Sequence, residues 1–73
     1  AKMELFFELV DEALDAGHEV EKAFVQRGAG SEAFRALLQK FKAYDVPYQV
    51  VPVEKLNRLT RKNHQGVVAY ISP

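Results

Sequence analysis

The chain has 73 residues, of which 48% are hydrophobic and 27% charged, and its ten basic and ten acidic side chains leave no net charge. These values predict one small globular domain with a single core, and the absence of cysteine excludes a disulfide framework, a thiolate zinc site and a cysteine nucleophile. The longest apolar run, Val67–Ile71, is far too short to cross a bilayer, so we expect no membrane partner and a cytoplasmic location.

The first 44 residues predict two helices with a strand between them. Apolar residues recur at helical spacing over residues 4–16, and Gly17 stands where a left-handed C-terminal cap belongs. A short extended run, Val20–Gln26, ends at a glycine turn and predicts a strand. Ser31 is a good N-cap for a second helix, whose apolar stripe consists of Phe34, Leu37, Leu38, Phe41 and Tyr44.

The second half predicts a strand, a helix and a buried strand. Tyr48–Val51 is rich in residues that favour strands, and Pro52 suits the start of a helix that faces inward through Val53, Leu56 and Leu59. The unbroken apolar run Val67–Ile71 is typical of a central strand covered on both faces. The order αβαβαβ predicts a small α/β/α sandwich with a mostly parallel sheet.

Basic residues concentrate around the third predicted helix. Lys55, Arg58 and then Arg61 or Lys62 are spaced at about i, i+3 and i+6, so their side chains could contact successive RNA phosphates. A solvated helix face explains the same spacing. The turn that follows contains Asn63, His64 and Gln65, which can bind 2′-hydroxyls or base edges, or can instead satisfy the backbone.

The other candidate sites are weaker. Arg27 precedes Gly28-Ala29-Gly30, which formally fits a dinucleotide-binding pattern, but the acid expected about 20 residues later is missing. The turn could hold one phosphate beside Arg27, although a flexible connection explains it better. The two histidines lie in no ligand cluster, and the acidic face of the first helix predicts solubility, so we expect no metal and no catalytic residues.

The closing residues His64-Gln65-Gly66-Val67-Val68-Ala69, together with the predicted strands Val20–Val25 and Val46–Val50, resemble a known family. The pattern is similar to the N-terminal RNA-binding domain of SpoU/TrmH-type RNA 2′-O-ribose methyltransferases. The resemblance implies a fold like that of RNA-binding ribosomal proteins. It also implies an RNA partner, rRNA or tRNA, with no DNA partner expected. The RNA-contact candidates are then Arg27, Lys55, Arg58, Arg61, Lys62, Asn63 and His64.

The resemblance implies a division of labour between two domains. Residues 1–73 are expected to form one substrate-binding domain without catalytic residues or a cofactor of its own. A knotted catalytic domain that binds S-adenosylmethionine would follow Pro73 and would be the domain's partner within the chain. The parent protein is then an enzyme, whereas this domain alone is not.

The opening of the chain departs from the family pattern. Members usually begin with a short strand and a glycine-containing loop, whereas Leu5–Leu9 here predicts a helix that continues without a break. A divergent member and an engineered variant both fit this departure. The alternative function is a protein-interaction or dimerisation module on the same fold, and a fragment of a nucleotide-binding enzyme ranks third.

Overall fold

The computed structural model describes residues 3–62 and 64–71. Within these residues the chain forms four strands and three helices: β1 (Met3–Phe6), α1 (Phe7–Asp15), β2 (Val20–Gln26), α2 (Glu32–Ala43), β3 (Tyr48–Val51), α3 (Val53–Leu59) and β4 (Val67–Ile71). The predicted bounds of β2, β3 and β4 are confirmed. The element order is βαβαβαβ, so the predicted order αβαβαβ was wrong by one strand.

The extra strand is β1, whose last three residues were predicted to be the start of a helix. Its residues pair with β4 in antiparallel register, with Leu5 opposite Ala69 and Phe6 opposite Val68. Leu5 is buried in this pairing, which outweighs the helical preference of the local sequence. The strand is therefore present as in the family pattern, but α1 begins at Phe7 with no loop between them.

The sheet has the order β1-β4-β2-β3 and is mixed, so the prediction of a mostly parallel sheet was wrong. β2 and β3 are parallel, whereas β4 runs antiparallel to both β1 and β2. The reason lies at the edge where β2 and β3 end. The Arg27 N–H donates to the Val51 carbonyl there, and the Gln26 N–H donates to the carbonyl of Gly66, which directly precedes β4. The short α3 segment returns the chain to the same edge, so β4 must run in the opposite direction.

Both long helices end in the predicted turns. After α1, the N–H groups of Gly17 and His18 donate to the carbonyls of Leu14 and Ala13, and Gly17 has a φ of 85°. This pattern is a Schellman cap. Asp45 adopts the same left-handed conformation after α2, with a φ of 56°. At the other end of α2, the Ser31 hydroxyl accepts from the Phe34 N–H at 3.1 Å, which confirms the predicted N-cap.

The helices lie on both faces of the sheet, as predicted for an α/β/α sandwich. One face packs against α1 and α2 through the larger core cluster, which includes Val10, Phe41 and Ala69. The other face packs against α3 through Val51, Leu56 and Val68. β4 is an internal strand with buried residues directed to both faces, which explains its unbroken apolar sequence. Tyr44, predicted to extend the apolar stripe of α2, is instead half exposed.

A charged contact joins α1 to α2 on the outside of this layer. The Lys40 ammonium lies 2.7 Å from the Asp11 carboxylate and 2.9 Å from that of Asp15. Hydrogen bonds from Lys40 to Asp11 and Asp15 hold the pKa of Lys40 well above its ordinary value. Part of the acidic face of α1, which was predicted to serve solubility alone, therefore also fixes a neighbouring helix.

Lys40→Gln is expected to lower the melting temperature, because it removes the cation that both carboxylates share. The loss should be smaller at high salt, since exposed ion pairs are screened. The pKa of Lys40 is raised in the folded state, so its contribution to stability is fully present below the unfolded value of 10.5. That contribution is lost as the pH rises from there through the higher folded-state pKa. Thermal melts at low and high salt measure the effect. Lys42→Gln, on the same helix, is the control, and equal losses for the two variants would contradict the assignment.

Candidate nucleic-acid interface

Helix α3 is the centre of the predicted basic surface. It begins directly after Pro52, whose carbonyl accepts the Lys55 N–H at 3.0 Å. Its inner side is anchored by Leu56, which is fully buried against β2 and β4. Lys55 and Arg58 are exposed, so the same helix that completes the second core cluster presents two cationic side chains to solvent.

The helix ends earlier than the charge spacing suggested. Thr60 is extended, with φ −153° and ψ 148°, and its hydroxyl accepts the Lys62 N–H at 3.1 Å. This local bond offers the backbone an alternative to another helical turn. Arg61 and Lys62 therefore lie in an exposed bend rather than on the helix, and the predicted helical spacing through them was wrong. The bend leaves them beside the helix end as extra positive charge.

The turn before β4 is fixed by His64, whose side chain is buried. The Gly66 N–H donates to its Nδ1 at 2.9 Å, so the proton of the neutral ring lies on Nε2, which donates to Asn57 Oδ1 at 2.8 Å. Both ring nitrogens are therefore engaged within the chain, and the ring ties α3 to the start of β4. Asn63, another predicted RNA contact, lies outside the described residues.

Gln65 and Gly66 complete this turn in left-handed conformations, with φ values of 54° and 90°. A Cβ atom on Gly66 would lie 3.4 Å from the Gln26 Oε1 atom and 3.5 Å from the Phe34 ring. These are ordinary contact distances, so the positive φ, and not a lack of space, is what favours glycine at this position. His64, Gln65 and Gly66 form one unit that sets the position of β4 relative to α3.

Arg27 lies at the same edge of the sheet. It is exposed directly after β2, and its N–H donates to the Val51 carbonyl at 2.8 Å, next to the start of α3. Gly28 has a φ of 83°, and a Cβ atom built on it would have no neighbour within 4 Å. The positive φ needed for the chain to change direction therefore explains the glycine turn. Arg27 is therefore near the first turn of α3, while Arg61 and Lys62 follow its last.

Aromatic residues that sequence analysis missed lie beside Lys55. The Lys55 Nζ atom is 5.3 Å from the centroid of the Phe24 ring, and Lys22 Nζ is 5.4 Å from the same centroid. Tyr70 meets Phe24 edge to face, with ring centroids 6.4 Å apart. The alternation in Lys22-Ala23-Phe24 was the available signal, because it places a cation and an aromatic ring on one face of β2.

A model of the family described as RNA 2′-O ribose methyltransferase substrate binding matches residues 7–73. The chain belongs to this family. The match confirms the resemblance carried by the residues from His64 to Ala69. In the structure of this substrate-binding domain, those residues are the histidine-centred turn and the first half of the internal strand β4.

Curated relatives of the substrate-binding domain agree with this assignment. A protein of Staphylococcus haemolyticus (strain JCSC1435), named as a TrmH family tRNA/rRNA methyltransferase, is 38% identical over 64 residues, which are 88% of this chain and 26% of that protein. A protein of the same name from Staphylococcus aureus (strain COL) is 36% identical, with the same shares covered. The chain spans about a quarter of the length of the curated relatives it matches.

A solved structure shares the fold of the substrate-binding domain. A Bacillus halodurans protein described as having unknown function superimposes with a TM-score of 0.73 and 27% identity, over 94% of this chain and 71% of that one. Among residues 3–62 and 64–71, no helix is long and apolar enough to cross a membrane. In the same part of the chain, no group of three or more histidine or acidic residues could hold a metal ion.

Proposed function

We propose that this domain binds rRNA or tRNA and presents it to an S-adenosylmethionine-dependent 2′-O-ribose methyltransferase domain of a longer cytoplasmic protein. The single observation that carries the proposal is the group of exposed cations around α3, in a chain whose family is defined by RNA substrate binding. The relatives, more than three times as long as this chain, support a second domain for the chemistry. Cofactor binding and methyl transfer then belong to that domain.

The cations around α3 would contact the RNA backbone. Lys55 and Arg58 extend from the helix, Arg27 is near its first turn, and Arg61 and Lys62 follow its end. His64 was a predicted RNA contact as well. Because both of its ring nitrogens bind within the chain, we assign it the role of a positioning residue that holds α3 against β4. Contacts with phosphates provide affinity without reading sequence.

A salt titration of RNA binding tests this surface. With three or four phosphates engaged, log K for a single-stranded RNA oligonucleotide should fall with log salt at a slope of about −2 to −3. Arg58→Ala should flatten the slope by about 0.7, because one counterion fewer is released. Lys42→Ala is the matched control, since α2 lies on the opposite face of the sheet, and it should leave the slope unchanged. Fluorescence anisotropy with a labelled oligonucleotide gives both quantities.

Replacement of Lys55, Arg58, Arg61 and Lys62 together should abolish measurable binding at moderate salt. Unchanged affinity in that variant would rule the surface out. A second candidate function, protein interaction, is favoured by one observation: Met3, on edge strand β1, and Leu9, on α1, are about half exposed. Self-association that is insensitive to salt, in a chain that does not bind RNA, would support this alternative.

A further inference from the structure

Helix α3 leaves part of its face of the sheet uncovered. It has seven residues, against nine and twelve in the two helices on the opposite face. Around its buried anchor, the side chains of Phe6, Phe24, Leu59 and Tyr70 are only partly buried. Three aromatic rings therefore remain accessible on three adjacent strands.

The strand register brings these rings together. Phe6 and Phe24 both pair with Val68, one on each side of it, and Tyr70 lies two residues further along β4, opposite Lys22. An irregularity in β2 between Val20 and Lys22 makes this arrangement possible. It lets Val20 join the core on the α1 and α2 side while Lys22 and Phe24 face the α3 side.

Two cations border the aromatic patch formed by Phe6, Phe24 and Tyr70. Lys22 from β2 and Lys55 from α3 hold their ammonium groups within 5.4 Å of the Phe24 centroid, in the range of a cation–π interaction. With Phe24, Leu59 and Tyr70 they line one shallow pocket. On the far side of Tyr70, the Glu4 carboxylate accepts a long hydrogen bond of 3.5 Å from its hydroxyl. Burial, together with Glu4, raises the pKa of Tyr70, so its phenol stays uncharged at neutral pH.

We propose that Phe24 stacks against an unpaired base of the RNA, that Tyr70, perpendicular to Phe24, bounds the base at its edge, and that the flanking phosphates draw Lys22 and Lys55 from the ring. This inference rests on the proposed function and specifies its substrate as RNA that contains at least one unstacked nucleotide. Aromatic rings beside lysines match the two parts of a nucleotide, a flat base and a charged phosphate. Glu4 repels phosphates and so directs the backbone toward the lysine side of the pocket.

Other occupants suit this pocket less well. An apolar protein segment would remove two ammonium groups from water without supplying a counter-charge, which is unfavourable. A second copy related by twofold symmetry would bring the patch against itself, and thus lysines against lysines. An RNA strand stacks on the rings and also neutralises both cations. The pocket lies beside the exposed cations of α3, so a single strand can reach both surfaces.

The test uses the 73-residue chain and a single-stranded RNA that carries one 2-aminopurine, whose fluorescence falls when the base stacks. The native chain should quench this signal on saturation and should not change it when the same RNA is annealed into a duplex. Phe24→Leu should weaken binding of the single strand between about 5-fold and 100-fold, as the loss of one stacking contact predicts. Tyr44→Leu, which removes an exposed tyrosine on the opposite layer, should have no effect.

Phe24 also contributes to packing, so Lys22→Gln provides a second variant at an exposed position. It should weaken single-strand binding and reduce its salt dependence by about 0.7. If the native chain binds the single strand with a normal salt slope but does not quench 2-aminopurine, the stacking proposal is wrong while the proposed function stands. If the chain does not bind RNA at all, both fail. Self-association that Phe24→Leu abolishes would identify the pocket as a protein contact and would also overturn the inference.

Discussion

Val68→Asp is expected to abolish cooperative folding of the domain. Val68 is fully buried on the internal strand β4, where it pairs with Phe6 on one side and Phe24 on the other. A carboxylate there would have no partner, at a cost of several kcal/mol, which is comparable with the whole stability of a small domain. Circular dichroism should show the loss of both secondary structure and a melting transition.

The matched control for this substitution is Glu12→Ala, which alters an exposed position on α1. Its melting curve should stay close to that of the native chain, because exposed substitutions usually change stability by no more than about 0.5 kcal/mol. A native-like, cooperative melt for Val68→Asp would mean that β4 does not occupy the middle of the sheet. The strand order would then have to be revised.

His64→Ala is expected to lower the free energy of unfolding by about 2–4 kcal/mol. The substitution removes hydrogen bonds to Gly66 and Asn57 and leaves a cavity where the ring was buried. Asn57→Ala removes only one of these bonds and should cost about 1 kcal/mol. Urea denaturation of the two variants and their combination measures the coupling between the residues.

Gln65→Gly is the control within the same turn. Gln65 is exposed and already has a positive φ, so glycine should change stability by no more than about 1 kcal/mol in either direction. A loss for His64→Ala no larger than that for Asn57→Ala would contradict the two-bond geometry. Comparison of RNA affinities separates the roles of His64, because Asn57→Ala removes its tie to α3 but keeps the imidazole. Similar losses of affinity in both variants support positioning, whereas a large loss confined to His64→Ala would restore direct RNA contact.

Local patterns were sufficient for most elements because their causes are local. The Ser31 cap, the left-handed Gly17 and the continuous apolar run of β4 each identify an element from its own residues. Residues 3–6 were the exception. Their apolar spacing suits a helix, and only the pairing of Leu5 and Phe6 with β4, far along the chain, makes them a strand.

The sequence predicted which residues of the candidate site carry positive charge, but it did not predict how the structure arranges them. Lys55, Arg58, Arg61 and Lys62 are exposed cations, as their sequence suggested, yet the helix beneath them ends at Leu59 because Thr60 forms a local hydrogen bond with Lys62. His64 has a side chain suited to RNA, but the backbone of Gly66 and the side chain of Asn57 occupy its ring nitrogens. The types of the candidate RNA-contact residues themselves determined neither outcome.

The sequence by itself determined the family, through the residues from His64 to Ala69, and it determined the helices and strands whose spacing is set by neighbouring residues. Only the tertiary structure decided the direction of β4, the existence of β1 and the meeting of Phe24, Tyr70, Lys22 and Lys55. The physical reason is the range of the interactions. Caps and amphipathic spacing act within a few residues, whereas strand pairing and ring contacts join segments that are distant in the chain and are defined only once the sheet has formed.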